Sequence, residues 1–426
     1  MRHLPTSFII LGMLISAIPQ QISAETNWPG YRGPRENSRI DEAKLPITWS
    51  ETENVVWKTP IEGKAWSSPV IWGDRIFLTN SNPEGSFYAV ICIDKNSGKV
   101  IYDKKLYSTP LPQYCHPFNS YASCSPVIEE GNLYVSFGSP YNACLNPETG
   151  DVKWERTDFI CNHFRGPGSS PFIYKDKLIL QFDGSDFQFV TALNKQTGET
   201  IWRTERSVNF DDIVAATGKP EREGDWRKAY STALAIEVEG KPQLISLGSK
   251  ALYAYEPENG KELWRVELGK SHSGACRPVY DNGLIYMPIG AGKELWAIRP
   301  GTDKAEVVWK HTRGVPRRPS VLVLDDLLYM VDDDGVASCV DAIKGEGIWQ
   351  KRLGSNYSAS PIYADGRIYF LDEVGTGHVV KAGREFESLA ENKLGDGCMG
   401  SPAVSDNALY IRSKSHLYRV ETAQGK

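Results

Sequence analysis

The chain reads as an all-β protein, an eight-bladed β-propeller whose ring is closed by its own N-terminal strand. Three observations predict this. A phrase recurs at intervals of roughly 40–50 residues, the period of a blade of four short strands. Each copy alternates short apolar runs with tight polar turns. The last copy lacks a fourth strand, and a spare one stands near the front of the chain.

The phrase is a small residue, Pro in the clearest copies, an apolar run broken by a turn, Thr-Gly or Asn-Gly, and an aromatic four residues after that Gly. The clearest copies run from Ser170-Pro171 through Gly198 to Trp202, from Ser125-Pro126 through Gly150 to Trp154, and from Ser68-Pro69 through Gly98 to Tyr102. Copies start near Ser67, Cys124, Ser169, Ser231, Cys276, Ser320, Ser360 and Ser401. First strands such as "PVIW" and "PFIY" meet turns such as Gly73-Asp74, Asn282-Gly283 and Asp365-Gly366, whose residues tolerate the positive φ of tight hairpins. Second strands follow, as in "RIFLT" and "KLILQF", and third strands lead to turns such as "NPETG" and "NKQTG".

Fourth strands carry Tyr102, Trp154, Trp202, Trp264, Trp309 and Trp349. The seventh copy, "GREFESLAENKL", has no Trp, so its fourth strand is the least defined. The eighth ends at "LYRVE", and "NVVWKTPI" at 54–61 supplies the missing strand with Trp57 in the aromatic place. Closure removes the edge an open array would expose. These Trp side chains are read as docking residues, each burying about 150–250 Å² against the next blade.

Length alone, 426 residues, suggests about three domains, but blades stack into one body. The predicted layout is a signal peptide at 1–24, an N-terminal extension at 25–53 and one propeller at 54–426. The signal rests on Arg2 and His3, an apolar run at 8–18 and a small-residue cleavage site at Ser23-Ala24. The chain is thus expected in a periplasm or outside the cell, with no transmembrane segment after processing. A net charge of −5 leaves no basic footprint and argues against nucleic-acid binding. Of eight Cys, Cys92, Cys144 and Cys339 fall in apolar strands and read as core. Cys115, Cys124, Cys161, Cys276 and Cys398 lie in or beside loops, where an oxidising compartment allows pairing of open connectivity.

The turns inside hairpins share one face of the disc and are short. Links between blades and second-to-third-strand loops share the other face and are long and irregular, at 107–123, 159–168, 207–230, 270–275 and 313–317. Function concentrates on such loops. The candidate funnel there holds His116, His163, Arg165, Asp183, His272, Arg277, Arg317, Arg318 and Glu373, edged by Trp66, Tyr121 and Tyr357. His116 and His163 with Asp183 could ligate a metal, but no fixed ligand spacing supports it and no metal is assigned. Asp332-Asp333-Asp334-Gly335 lacks the alternation of a calcium loop and reads as a turn. Arg277, Arg317 and Arg318 either clamp an anion or pair with the acidic cluster. The insertion at 207–230 is a lid, a docking flap or a surface excursion.

The phrase ending in T-G-x-x-x-W resembles the PQQ-like (pyrroloquinoline-quinone enzyme-type) β-propeller repeat. Matching strings include "NWPGYRGP" at 27–34, "WSSPVIWGDRIFLT" at 66–79, "FRGPGSSP" at 164–171 and "NYSASPIYADGRIYF" at 356–370. The chain is similar to secreted planctomycete-type PQQ-repeat proteins, often labelled BamB-like. The resemblance implies the quinoprotein-dehydrogenase-like propeller fold. Quinoprotein dehydrogenases of that fold clamp quinone between a Trp and a vicinal disulfide, with calcium on acidic and amide side chains. This sequence has no Cys-Cys pair, so neither PQQ nor calcium is expected. The expected role is a non-catalytic binding or scaffold protein whose partner, an envelope protein or a glycan, sits on the irregular face. An enzyme using the His/Arg/Asp funnel and a PQQ-dependent dehydrogenase stay open as alternatives.

Overall fold

A computed structural model of the chain describes residues 27–220 and 224–423. The predicted signal segment at 1–24 lies outside the described residues. Eight antiparallel sheets form a ring. Their innermost strands are Val70–Trp72, Val127–Glu129, Phe172–Tyr174, Leu234–Val238, Val279–Asp281, Leu322–Leu324, Ile362–Ala364 and Ala403–Ser405. Apolar clusters fill the space between neighbouring blades rather than one central core, as in the packing of Phe77, Val90 and Cys92 against Leu133, Val135 and Ala143. The eighth blade is completed as expected: Val55–Pro60 pairs antiparallel with His416–Val420, and Trp57 stands opposite Arg419.

The Gly and the Trp of the recurring phrase lock different blades. The Trp154 ring lies where a Cβ on Gly198 of the next blade would be, 2.7 Å away, and its indole N–H donates to the Lys195 carbonyl at 2.9 Å. Gly198 also has φ +75°, so it serves both a left-handed turn and a close approach. The same joint recurs at Trp57, against Gly98 and Lys95 O at 3.0 Å, and at Trp309, against Gly345 and Ala342 O at 3.1 Å; Trp349 keeps the indole bond, to Gly383 O at 3.1 Å, without a ring against that Gly. A register shift occurs in all eight third-to-fourth pairings, and in the seven that carry an aromatic it falls beside that residue and turns it toward the neighbouring blade; the seventh blade has Ala390 there.

The seventh blade does have a fourth strand, Ser388–Lys393, despite lacking a Trp. Residues of the N-terminal extension do the packing there. Trp49 is buried against this blade and its backbone N–H donates to Asn392 Oδ1 at 2.9 Å. Its ring fills the space above Gly377.

The small residue that starts each copy is a latch. Its hydroxyl accepts the backbone N–H of the equivalent residue one blade earlier: Ser68 N to Ser125 Oγ, Ser125 N to Ser170 Oγ, and Ser170 N to Thr232 Oγ1, at 2.8–3.0 Å. The pattern resumes from Arg277 N to Ser320 Oγ, then to Ser360, Ser401 and back to Ser68, at 2.9–3.0 Å. It breaks only at blade five, where Arg277 replaces the hydroxyl.

The extension enters the centre of the ring. Trp28 bridges Ile71 through two backbone hydrogen bonds of 2.8 Å, and Pro29 O accepts Ile128 N. The Tyr31 hydroxyl meets Ser360 Oγ at 2.9 Å and Ser320 Oγ at 3.2 Å. Arg39–Ile40 then runs parallel to Ile362–Ala364 as a fifth strand of blade seven. Residues 28–40 thus occupy the channel between the innermost strands.

Candidate functional site

On the irregular-loop face the channel opens into a cavity of about 160 Å³. Its floor is Tyr31, which occupies the side nearest blades six and seven. The remaining arc exposes Ser401, Ser68, Ser125, Ser170 and Thr232. Its walls are Trp66, Phe118, Tyr230, Ser358 and Arg318. Arg318 crosses the mouth. It pairs with Asp333, donates to Glu373 Oε1 at 2.9 Å and to Ser358 Oγ at 3.0 Å, and lies 4.4 Å over the Phe118 ring. Glu373 also accepts Ser358 Oγ at 2.7 Å. The Arg317 backbone N–H donates to Asp333 Oδ2 at 2.6 Å. Between the two openings for the arginines, ion pairing with the acidic cluster is what forms at the rim. Asp332 caps its own turn, accepting the N–H of Asp334 and of Val336 at 3.0 and 2.8 Å.

The other predicted funnel residues separate. Arg277 lies in the axis, buried, with its guanidinium on Glu36 Oε2 at 2.7 Å and on the Ala233 carbonyl. Asp183 does not face the funnel. It is buried at the junction of blades three and four, where both carboxylate oxygens hold Arg206 at 3.0 and 2.8 Å. His272 faces a second cavity of about 410 Å³ with Trp226 and Glu294, its ring edge-on to Trp226 at 5.1 Å. His116 Nδ1 accepts the N–H of Phe118 at 3.1 Å within a turn, and Arg165 is exposed. Among the described residues, no three His, Cys, Asp or Glu side chains converge to hold a metal ion. Tyr357, expected at the funnel edge, is fully buried instead. The five loop cysteines do not pair: all eight are free thiols, seven of them buried in separate places around the ring.

His163 is buried too. Nε2 accepts the Ser139 backbone N–H at 2.7 Å, Nδ1 is 3.0 Å from Lys228 Nζ, and Cys161 Sγ is 3.7 Å from Nδ1. Burial, then the Lys228 charge, holds its pKa well below the ordinary 6.5. The unfolded chain therefore takes up a proton near pH 6.5 that the fold refuses, so stability is full above that pH and is lost as pH falls below it. The limiting slope is about 1.4 kcal/mol per pH unit. Melting temperatures followed from pH 7.5 to 5 should fall for the wild type and fall less for His163→Gln, whose amide oxygen can still accept the Ser139 N–H.

Reading the sequence missed Tyr31, Arg32, Lys228 and the hydroxyl arc. The arc did leave a signal, a Ser or Thr at the same place in seven of the eight copies, but it was legible only as the start of a strand.

Comparison with known proteins agrees with this architecture. A family profile described as outer membrane protein assembly factor BamB matches residues 41–157 and 186–426. The quinoprotein ethanol dehydrogenase of Pseudomonas putida is 28% identical over 309 residues, covering 62% of this chain and 46% of that protein. The chain spans about half the length of the first curated relatives it matches. BamB from Moraxella catarrhalis superimposes with a TM-score of 0.62 at 13% identity, over 87% of this chain and 98% of that one. Quinohemoprotein alcohol dehydrogenase from Comamonas testosteroni gives 0.68 at 13% identity, over 96% and 82%. At such identities these two structures establish the fold alone. The profile covers most of the ring, joints and closing strand included, and the chain belongs to the family described as outer membrane protein assembly factor BamB, as a PQQ-like β-propeller repeat protein.

Proposed function

We propose that this chain is an exported, non-catalytic scaffold of the cell envelope that docks a protein partner on its irregular-loop face. One observation carries the reading. Leu111, Tyr114, Ile160 and Phe187 are 87%, 62%, 55% and 52% exposed, on three loops that adjoin one another. Gln113 Nε2 donates to Cys161 O at 3.0 Å, and the Asn162 N–H to Asp186 Oδ1 at 2.7 Å, which ties these loops into one surface. Grouped large apolar side chains exposed on a folded scaffold are the mark of a protein contact. The family description, an outer membrane assembly factor, supports a partner in the envelope. So does the apolar run at 8–18, read as an export signal. Among the described residues no helix is long and apolar enough to cross a membrane.

The reading dispenses with quinone and calcium. It is supported by the lack of adjoining cysteines and by the axis itself, where Tyr31 and the ring of hydroxyls bound a cavity of about 160 Å³. Small-molecule sites of drug size run to about 300–1,000 Å³. A photo-reactive residue placed at Tyr114 or Phe187 in cells should give adducts with envelope proteins. The same residue at Ile343, exposed on the opposite face, should give none. Equal labelling from both faces, or none from either, would refute the reading.

A further inference from the structure

The hydroxyl arc and the charge beneath it point to a ligand. Each of Ser401, Ser68, Ser125, Ser170 and Thr232 lines the axial cavity. The oxygen of each already accepts one backbone N–H from the neighbouring blade. A hydroxyl so engaged keeps its proton to give. Among the described residues none of the five donates that proton to another group, so the arc presents donors to the cavity. Ser320 and Ser360, by contrast, are taken by the Tyr31 hydroxyl.

The charge at the axis has the matching sign. Arg277 and Arg32 are both buried there, and Glu36 is the carboxylate that pairs with Arg277. Arg32 has no carboxylate partner among the described residues. Its Nη2 donates to Val321 O at 2.6 Å and Asn37 O at 3.2 Å, while Nε and Nη1 find no acceptor. One buried positive charge is therefore left uncompensated next to the residue that forms the cavity floor. At the rim, Arg317 and Arg318 balance Asp333 and Glu373 and contribute no net charge. A buried charge in a low-dielectric setting is felt several ångströms away.

We infer that the axial cavity is a binding site for a small oxyanion, a carboxylate, phosphate or sulfate group, held by the five-hydroxyl arc. The group enters from the irregular-loop face and stops on Tyr31. The hydroxyl protons supply hydrogen bonds to charged oxygen, roughly twice as strong as those between neutral groups. The site is separate from the apolar surface of blades one to three and does not depend on a partner there.

The test is calorimetric titration of the mature protein with inorganic phosphate, sulfate or acetate, against chloride at equal ionic strength. At least one of the three should bind saturably. Which one does so separates a phosphate, sulfate or carboxylate source. Replacing Ser125 and Ser170 together by Ala removes two donors and two latches, and should weaken binding about tenfold or more. Because that variant risks the fold, Ser125→Thr with Ser170→Thr is the companion. It keeps both hydroxyls, as Thr232 does at the equivalent place, and puts methyl groups into the cavity. It should melt like the wild type and lose the ion. The inference is overturned if no oxyanion binds saturably to the wild type, if a Thr variant of unchanged melting temperature binds with unchanged affinity, or if glucose binds and the ions do not.

Discussion

Asp183→Ala is expected to lower stability by about 3–5 kcal/mol, because it strips a fully buried arginine of the one carboxylate that pairs with it among the described residues. Both side chains of the pair are essentially unexposed. Arg206 is further held by Ser246 Oγ at 2.9 Å and the Tyr255 hydroxyl at 3.2 Å, and its guanidinium lies 4.8 Å over the Tyr253 ring. Burial alone works against the guanidinium charge, but Asp183 and Tyr255 outweigh it and its pKa stays above the usual arginine value. A guanidinium is effectively always protonated, so the charge stays buried when Asp183 is removed. Removing the charge as well, in Asp183→Ala with Arg206→Met, should recover a large part of the loss, since an apolar pair at such a place is often neutral. Denaturant unfolding of the three proteins measures this. A single variant as stable as the wild type would show that the pair does not hold blades three and four together.

Trp202→Ala should cost a similar amount, about 3–5 kcal/mol, as a large core side chain cut to a methyl. Trp202 is 7% exposed, donates its indole N–H to Pro257 O at 3.0 Å and fills the space in front of Gly260. Gly260→Ala attacks the same joint from the other blade. It has φ +73°, and an added Cβ would overlap the Trp202 ring. The two substitutions should fall short of additivity in a double-mutant cycle, since each empties the same contact. Unfolding midpoints in denaturant provide the check, and a melting temperature equal to wild type in Trp202→Ala would exclude a docking role.

These two predictions differ in how they became visible. Trp202 and its Gly joint are written into a short local phrase that repeats around the chain. The periodicity of that phrase gives blade count, turn positions and the orphan strand at 54–61. Asp183 and Arg206 are only 23 positions apart, yet nothing local marks them as partners. Asp183 ends a second strand on the irregular face, which predicts a place in the funnel. The structure turns it inward onto Arg206, which follows the outer strand of the same blade. The same holds for His163, which looked like a ligand on a loop and is instead a neutral core acceptor for the Ser139 N–H. The missing Trp of the seventh blade was legible, but its substitute, Trp49, was not, because it comes from 343 positions away from the Asn392 it meets.

Sequence by itself determined the architecture of this protein: eight blades, a ring closed by residues 54–61, and a docking Trp on most fourth strands. Those features follow from alternating apolar runs, turn residues and a fixed spacing from Gly to aromatic, all of which act within one copy or between adjacent ones. Only the tertiary structure decided the chemistry of the axis. Closing a ring brings the first residues of every blade to one circle and leaves the N-terminal extension inside it, so that Tyr31 meets Ser360 across 329 positions. No local propensity encodes a contact of that range. The circle of hydroxyls, the buried Arg32 and the cavity above Tyr31 exist because the ring closes around them.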